Sequence, residues 1–242
     1  MSKGFVDIHH HLLFGMDDGA RDRETMCSMI RAAAADGITA IIATPHAHPG
    51  VRPFDVQAYM RALEAARAFC RENALNMRVE PGAELLYSDH ACRFLEEGKV
   101  PTLAGTDRVL VEFMPDVSFA GLERALAHLV SGGYRPVVAH AERYECLVRR
   151  PGRAQKIREA LPVYYQINAR TIVSGGTLWQ RLFLNRMLDR GLIDAVATDA
   201  HNLSSRRVLM SQAYDVLCRR IGKKTADELT SGRGVGLTGA GQ

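Results

Sequence analysis

Seven short apolar runs punctuate the chain, at residues 5–8, 39–43, 77–81, 108–112, 135–139, 163–167 and 194–198. Each is nearly continuous in hydrophobic character or half-alternating, the pattern of parallel strands buried on both faces. Between them lie stretches with the 3.6-residue rhythm of helices, at 23–35, 55–73, 118–131, 153–161, 178–190 and 204–221. Several stop at glycine (Gly37, Gly132-Gly133, Gly191), which takes the left-handed conformation without a Cβ clash. The alternation predicts an α/β protein built as a parallel barrel or an open doubly wound sheet. No composition shift marks an internal boundary, so residues 1–230 read as one domain. The Gly-rich residues 231–242 read as a flexible tail.

Composition narrows the class. The 242 residues suffice for one barrel-sized domain, and a hydrophobic fraction of 47% with 24% charged residues excludes a disordered or collagen-like chain. The net charge is +4. Its cations are spread out, with small groups at Arg149, Arg150 and Arg153 and at Arg219, Arg220, Lys223 and Lys224. That distribution reads as a solvated surface and no nucleic-acid interface is expected. The start of the chain lacks a signal-peptide pattern, and no run approaches the ~20 apolar residues of a transmembrane segment. A cytoplasmic protein is expected. Five scattered cysteines without a C-x-x-C pair argue against a disulfide framework and a zinc ribbon.

The chemistry sits at the ends of the runs. The first ends in Asp7-Ile8-His9-His10-His11, and on an extended chain His9 and His11 project to the same side. The second runs into His46, the third into Glu84, the fourth into Glu112, the fifth into His140 and Glu142, and the seventh into Asp199 and His201. The sixth ends in Asn168. Carboxyl ends of parallel barrel strands converge on one mouth, where catalysis is built. Imidazole and carboxylate together suit Mn, Fe or Zn.

These motifs in order (DIHHHLL, MDDG, ATPHAH, GAEL, VEF, AHAERY and ATDAHN) resemble the polymerase-and-histidinol-phosphatase (PHP) superfamily. Within it the resemblance is nearest to the bacterial manganese-dependent protein tyrosine phosphatases of capsule and exopolysaccharide operons (CpsB/CapC-like). It runs from about residue 5 to 220. The resemblance implies a distorted seven-stranded (β/α) barrel of the PHP type with a trinuclear metal centre, manganese being expected and Fe or Zn compatible. Its ligands would be His9, His11, Asp18, His46, Glu84, Glu112, His140, Asp199 and His201. Arg143 and Arg206, with Arg207 an alternative to the latter, would correspond to the phosphate-binding arginines. Two positions depart from the pattern: His10 stands where a small residue is usual, and Ala47 where a second His is common. Neither His10 nor the nearby His48 is expected to be a ligand. The implied partner is the phosphotyrosine-bearing tail of a bacterial tyrosine kinase. A homo-oligomer is compatible with the helical outer faces.

The expected reaction is metal-assisted hydrolysis of a phosphate monoester. Arg143 and Arg206 would grip the phosphoryl group, and Asp199 or His201 would assist the proton on the leaving oxygen. A cysteine phosphatase is excluded by spacing, because the sixth residue after each cysteine (Ala33, Asn76, Gly98, Gly152, Lys224) is never arginine. P-loop and serine-elbow motifs are absent. A histidinol-phosphate phosphatase would use a similar ligand set. A scaffold that has lost catalysis would be expected to have lost ligands, and here every expected position is filled.

Overall fold

The apolar runs become strands, and every pairing between them is parallel. The computed structural model describes residues 4–237. Its strands are β1 (Phe5–His10), β2 (Ile38–Ala43), β3 (His46–Ala47), β4 (Arg78–Pro81), β5 (Glu84–Leu86), β6 (Arg108–Glu112), β7 (Arg135–Val138), β8 (Tyr164–Asn168) and β9 (Ala195–Ala197). They form a three-stranded sheet, β1-β2-β4, and a six-stranded sheet, β3-β5-β6-β7-β8-β9.

The expected count of seven strands is therefore not what the segments give. The second and third runs each break and resume. Pro45 has no N–H for a ladder, and a Cβ on Gly82 would lie 2.6 Å from Ile42 Cγ2. Beyond the breaks the pairing resumes, with His46 opposite Glu84 and the Glu84 amide donating to Pro45 O at 3.1 Å.

The parallel sheet curls, and its two ends meet at β1 and β9. The Asp199 amide donates to His9 O and the His11 amide to Ala200 O, both at 2.9 Å. Buried Asp7 adds a side-chain tie, accepting the Thr198 amide at 2.9 Å. Inside the curl lies a small apolar cluster that includes Ile8, Ile42, Leu110 and Val137. A larger one joins the outer strand faces (Ile41, Val111, Val138, Val196) to the helices through Met29, Leu63, Leu126 and Phe183.

The helices Arg23–Ala35, Val56–Glu72, Phe119–Ser131, Gly152–Ala160 and Leu178–Asp189 match expectation to within a residue at each end. Four begin where a side-chain oxygen of Asp22, Asp55, Ser118 or Thr177 accepts a first-turn amide. The last expected helix starts late, at Met210. Asn202 Oδ1 accepts the amides of Ser204 and Arg206, which bends the preceding residues into a loop. No helix among the described residues is long and apolar enough to cross a membrane.

Residues 231–237, expected as flexible tail, are packed. Val235 is fully buried and, with Leu237, joins the inner apolar cluster. Arg108 Nε holds the Val235 carbonyl at 3.0 Å. The stretch plugs the end of the curl opposite the polar strand ends, and its glycines disguise two anchoring apolar side chains. The rest of the expected tail, 238–242, lies outside the described residues.

Candidate metal centre and active site

The register between β1 and β2 slips between Asp7 and His10, so that three steps on β1 match two on β2. A bulge of this kind re-aims side chains. His9 and His11 emerge together, their Nε2 atoms 3.1 Å apart, both rings fully buried. The following turn folds back over them: the Ala20 amide donates to His11 O at 3.2 Å. Only glycine fits at position 19, where a Cβ would lie 2.2 Å from His11 O.

All nine expected ligands converge. Five overlapping groups have donor atoms within 4.8 Å of one another: His11, Asp18, His46 and His201; His9, His140 and Asp199; His9, His11 and Glu84; Glu84, Glu112 and His140; and His46, His48 and Glu112. Glu84 is the hub. Its Oε2 lies 3.0 Å from His46 Nδ1, 3.2 Å from His9 Nε2 and 3.3 Å from His11 Nε2, and its Oε1 lies 2.7 Å from His140 Nε2. Asp18, the most exposed member, places Oδ1 3.3 Å from His201 Nε2 and 3.4 Å from His46 Nε2. His48, set aside in the sequence reading, joins His46 and Glu112; His10 joins none of the groups.

The donor set fits divalent cations. Buried Glu84 Oε2, His46 Nδ1 and His201 Nε2 make no hydrogen bond, although they crowd against other polar atoms. Unlike the equally unpaired nitrogens of His10, these atoms lie within the donor groups, where a cation would engage them together. The outer nitrogens are held from behind. His9 Nδ1 meets Gln166 Oε1 at 3.2 Å, His11 Nδ1 meets Asp17 Oδ2 at 2.6 Å, and His201 Nδ1 meets the Asp199 carbonyl at 3.0 Å. Such contacts fix the tautomer and aim the opposite nitrogen, Nε2, into the centre.

The charges point the same way. Burial works against ionised Glu84, but His9, His11, His140 and His46 hold its carboxyl well below the usual range. Burial likewise opposes ionised Asp199, and His9 and His11 prevail. Burial depresses His9 and His46, yet the carboxylates around them lift them to about 9 and about 11. His201 is driven down to about 3 by burial and by His11, despite Asp199. Cation binding displaces the protons that the raised imidazoles hold.

Two arginines reach the cluster. Arg206 Nη2 donates to Asp199 Oδ1 at 3.0 Å and its Nη1 to Asp18 Oδ2 at 3.2 Å. Arg143 Nη1 stands 3.9 Å from Asp199 Oδ2. Arg207 is exposed. The strand ends that carry these groups are strained: His140 and Asp199 have φ of 31° and 51°. Such left-handed geometry in non-glycine residues costs on the order of 1 kcal/mol or more and concentrates at functional sites.

Gln166, which the sequence did not single out, and Asn168, read there only as the polar end of the sixth strand, stand behind the donors. Gln166 Oε1 accepts the His140 amide at 2.7 Å while also facing His9, and Asn168 Nδ2 donates to Asp199 Oδ2 at 2.9 Å. A glutamine inside a buried strand, Tyr-Tyr-Gln-Ile-Asn, was the available signal.

Comparison with known proteins places this geometry. The family model described as "Capsular polysaccharide synthesis, CpsB/CapC" matches residues 5–234. The chain belongs to the CpsB/CapC family. Among its relatives, tyrosine-protein phosphatase CpsB of Streptococcus pneumoniae is 30% identical over 229 residues, covering 93% of this chain and 94% of the relative. Tyrosine-protein phosphatase YwqE of Bacillus subtilis (strain 168) is 31% identical over 234 residues, covering 93% and 88%. A crystal structure from a study of YwqE of Bacillus subtilis and CpsB of Streptococcus pneumoniae, described as unique metal-dependent tyrosine phosphatases, superposes with a TM-score of 0.84 at 31% identity. It covers 93% of this chain and 91% of that one.

Proposed function

We propose that this CpsB/CapC-family chain is a metal-dependent protein tyrosine phosphatase. Its substrate in this reading is phosphotyrosine on the tail of a capsule or exopolysaccharide-assembly tyrosine kinase. The observation that carries the proposal is the convergence of nine donors from six strand ends and the loop after β1, several aimed inward by a partner on their far nitrogen. The names of relatives matched over 93% of this chain support the substrate class. The nine strand segments are read as a seven-stranded barrel, with β2 and β3 forming one broken strand and β4 and β5 another. The described residues are read as a single domain.

His9, His11, Asp18, His46, Glu84, Glu112, His140, Asp199 and His201 would hold a three-metal centre, with manganese the proposed metal and Fe or Zn suited to the same donors. Bound divalent cations supply Lewis acidity toward the phosphoryl group and toward water. Arg143 and Arg206 bind the phosphoryl oxygens, since a guanidinium offers two parallel charge-assisted hydrogen bonds. Asp18 and Asp199 orient Arg206 from behind. Asp199 or His201 would assist the proton at the leaving oxygen; a phenol with a pKa of ~10 leaves with little help.

The test is phosphate release by the purified protein with Mn²⁺ from a phosphotyrosine peptide and from histidinol phosphate. Peptide turnover that a chelator abolishes is expected. Turnover of histidinol phosphate alone would overturn the substrate, and turnover of neither would overturn the enzyme.

A further inference from the structure

The basic group at Arg149, Arg150 and Arg153 takes no part in the metal centre, yet one short helix, Glu145–Val148, joins it to Arg143. Arg143 and Arg149 line a common cleft of about 220 Å³, whose walls include Val148, Thr177, Trp179 and Gln180. At the inner end Arg143 approaches Asp199 of the centre. At the outer end Arg149 passes into an adjoining cleft of about 340 Å³ that also carries Phe119, Arg150 and Arg153. The two clefts form one strip that leads away from the centre.

Trp179 is 50% exposed, and the Arg149 guanidinium sits 5.9 Å from its ring centre. Farther out, Arg153 lies 4.4 Å over the Phe119 ring. The helix that carries the tryptophan is anchored at its start. Thr177 and Gln180 cap it reciprocally, and Gln180 Nε2 donates to the Glu142 carbonyl at 3.2 Å. Two of the cations are largely uncommitted. The ion pairing of Arg149 among the described residues is with exposed Glu145, at 3.6 Å, and Arg150 makes no ion pair among the described residues. Glu145 and Asp116 are the solvent-facing acids along the strip. A half-exposed tryptophan beside exposed guanidinium groups is a combination enriched at binding hot spots.

We infer that this strip is the docking groove for an acidic peptide segment flanking the substrate phosphotyrosine. The peptide runs from Arg143 across Trp179, and its carboxylates meet Arg149 and Arg150. The inference rests on the phosphatase reading and deepens it, because it assigns the sequence preference of the same site to residues that touch no reacting atom.

Trp179 is the chain's only tryptophan, so its fluorescence reports the cleft. The Mn²⁺-loaded protein is titrated with two peptides of equal length that carry a non-hydrolysable phosphonate analogue of phosphotyrosine, one flanked by Asp and Glu and one by neutral residues. The acidic peptide is expected to shift the Trp179 emission and to bind roughly tenfold more tightly. The double variant Arg149→Ser/Arg150→Ser erases that preference. It raises KM for the acidic phosphopeptide roughly tenfold, with kcat and turnover of a small aryl phosphate unchanged. Equal binding of the two peptides, an unchanged emission, or an equal loss on the small ester overturns the groove. If phosphotyrosine is turned over while both peptides bind alike, only the groove falls. If the acidic phosphonate peptide binds at Trp179 but the matching phosphotyrosine peptide releases no phosphate, the phosphatase reading falls and the strip is left as an acidic-peptide site without a substrate role.

Discussion

His11 and Asp17 are joined through a 2.6 Å contact between Nδ1 and Oδ2, and the same carboxylate accepts the amides of His46 and Gly19, both at 2.9 Å. One buried acid thus fixes the end of β1, the turn after it and the start of β3. Burial works against its charge, but His11 and the two amides hold the carboxyl below its ordinary range. Asp17 is a positioning residue: it aims His11 Nε2 and leaves the neighbouring Asp18 free to face the centre.

Asp17→Asn keeps the shape and removes the charge. Metal affinity is expected to fall by about 10–100-fold, read by competition with a coloured chelator, while the circular dichroism spectrum stays native. An affinity equal to that of the native protein would contradict the positioning role.

His10 makes the opposite prediction. It is fully buried, both ring nitrogens lack a hydrogen-bond partner, and burial followed by His11, His201 and His9 drives it down to about 3, so it is neutral. Replacing unpaired buried polar atoms with apolar ones is neutral or stabilising. His10→Leu is expected to keep the native metal content and an equal or higher Tm, whereas His9→Leu loses metal. Loss of metal from His10→Leu would make it a ligand after all.

Much of this was legible in the chain. Apolar runs alternating with helical segments yield an α/β fold, and parallel strands deliver their carboxyl-end residues to one mouth, so His9, His46, Glu84 and Asp199 could be grouped without coordinates. Other features depend on geometry that no residue type announces. The slip that turns His9 and His11 inward is a matter of register against β2. Asp17 reads as a turn former in a Gly-Met-Asp-Asp-Gly stretch, and its contact with His11 exists only once the turn folds back over β1. Residues 231–237 have the composition of a tail because their glycines outnumber the two side chains that anchor them.

Those anchors can be weighed. Val235 is fully buried among Ile8, Leu110 and Ala197. Val235→Ala is expected to cost about 1–3 kcal/mol in urea unfolding, through lost burial and the cavity left behind. No change in the unfolding midpoint would mean that the segment does not close the curl.

Asp7 supplies a pH signature. Burial raises its carboxyl to about 6, against the hydrogen bonds from Thr198 that lower it. Unfolded, it titrates near ~3.9. The folded state therefore holds the proton more tightly, and the Asp7 contribution to stability falls as pH rises from about 4 to about 6. Asp7→Asn lacks that slope. Relative to the native protein the variant is expected to gain on the order of 2–3 kcal/mol between pH 4 and pH 7 in metal-free urea titrations. A difference that stays constant with pH would refute the assignment.

Glu84 is the carboxylate on which His9, His11, His46 and His140 converge, and it offers the most direct test of metal-dependent phosphatase chemistry at these strand ends. Native protein and Glu84→Gln are stripped with chelator, titrated with Mn²⁺, and assayed for phosphate release from a phosphotyrosine peptide. The stripped native protein is expected to be inactive and to recover with Mn²⁺, and folded Glu84→Gln is expected not to recover at the same concentration. Turnover that survives stripping, or a Glu84→Gln protein as active as the native one, would contradict it.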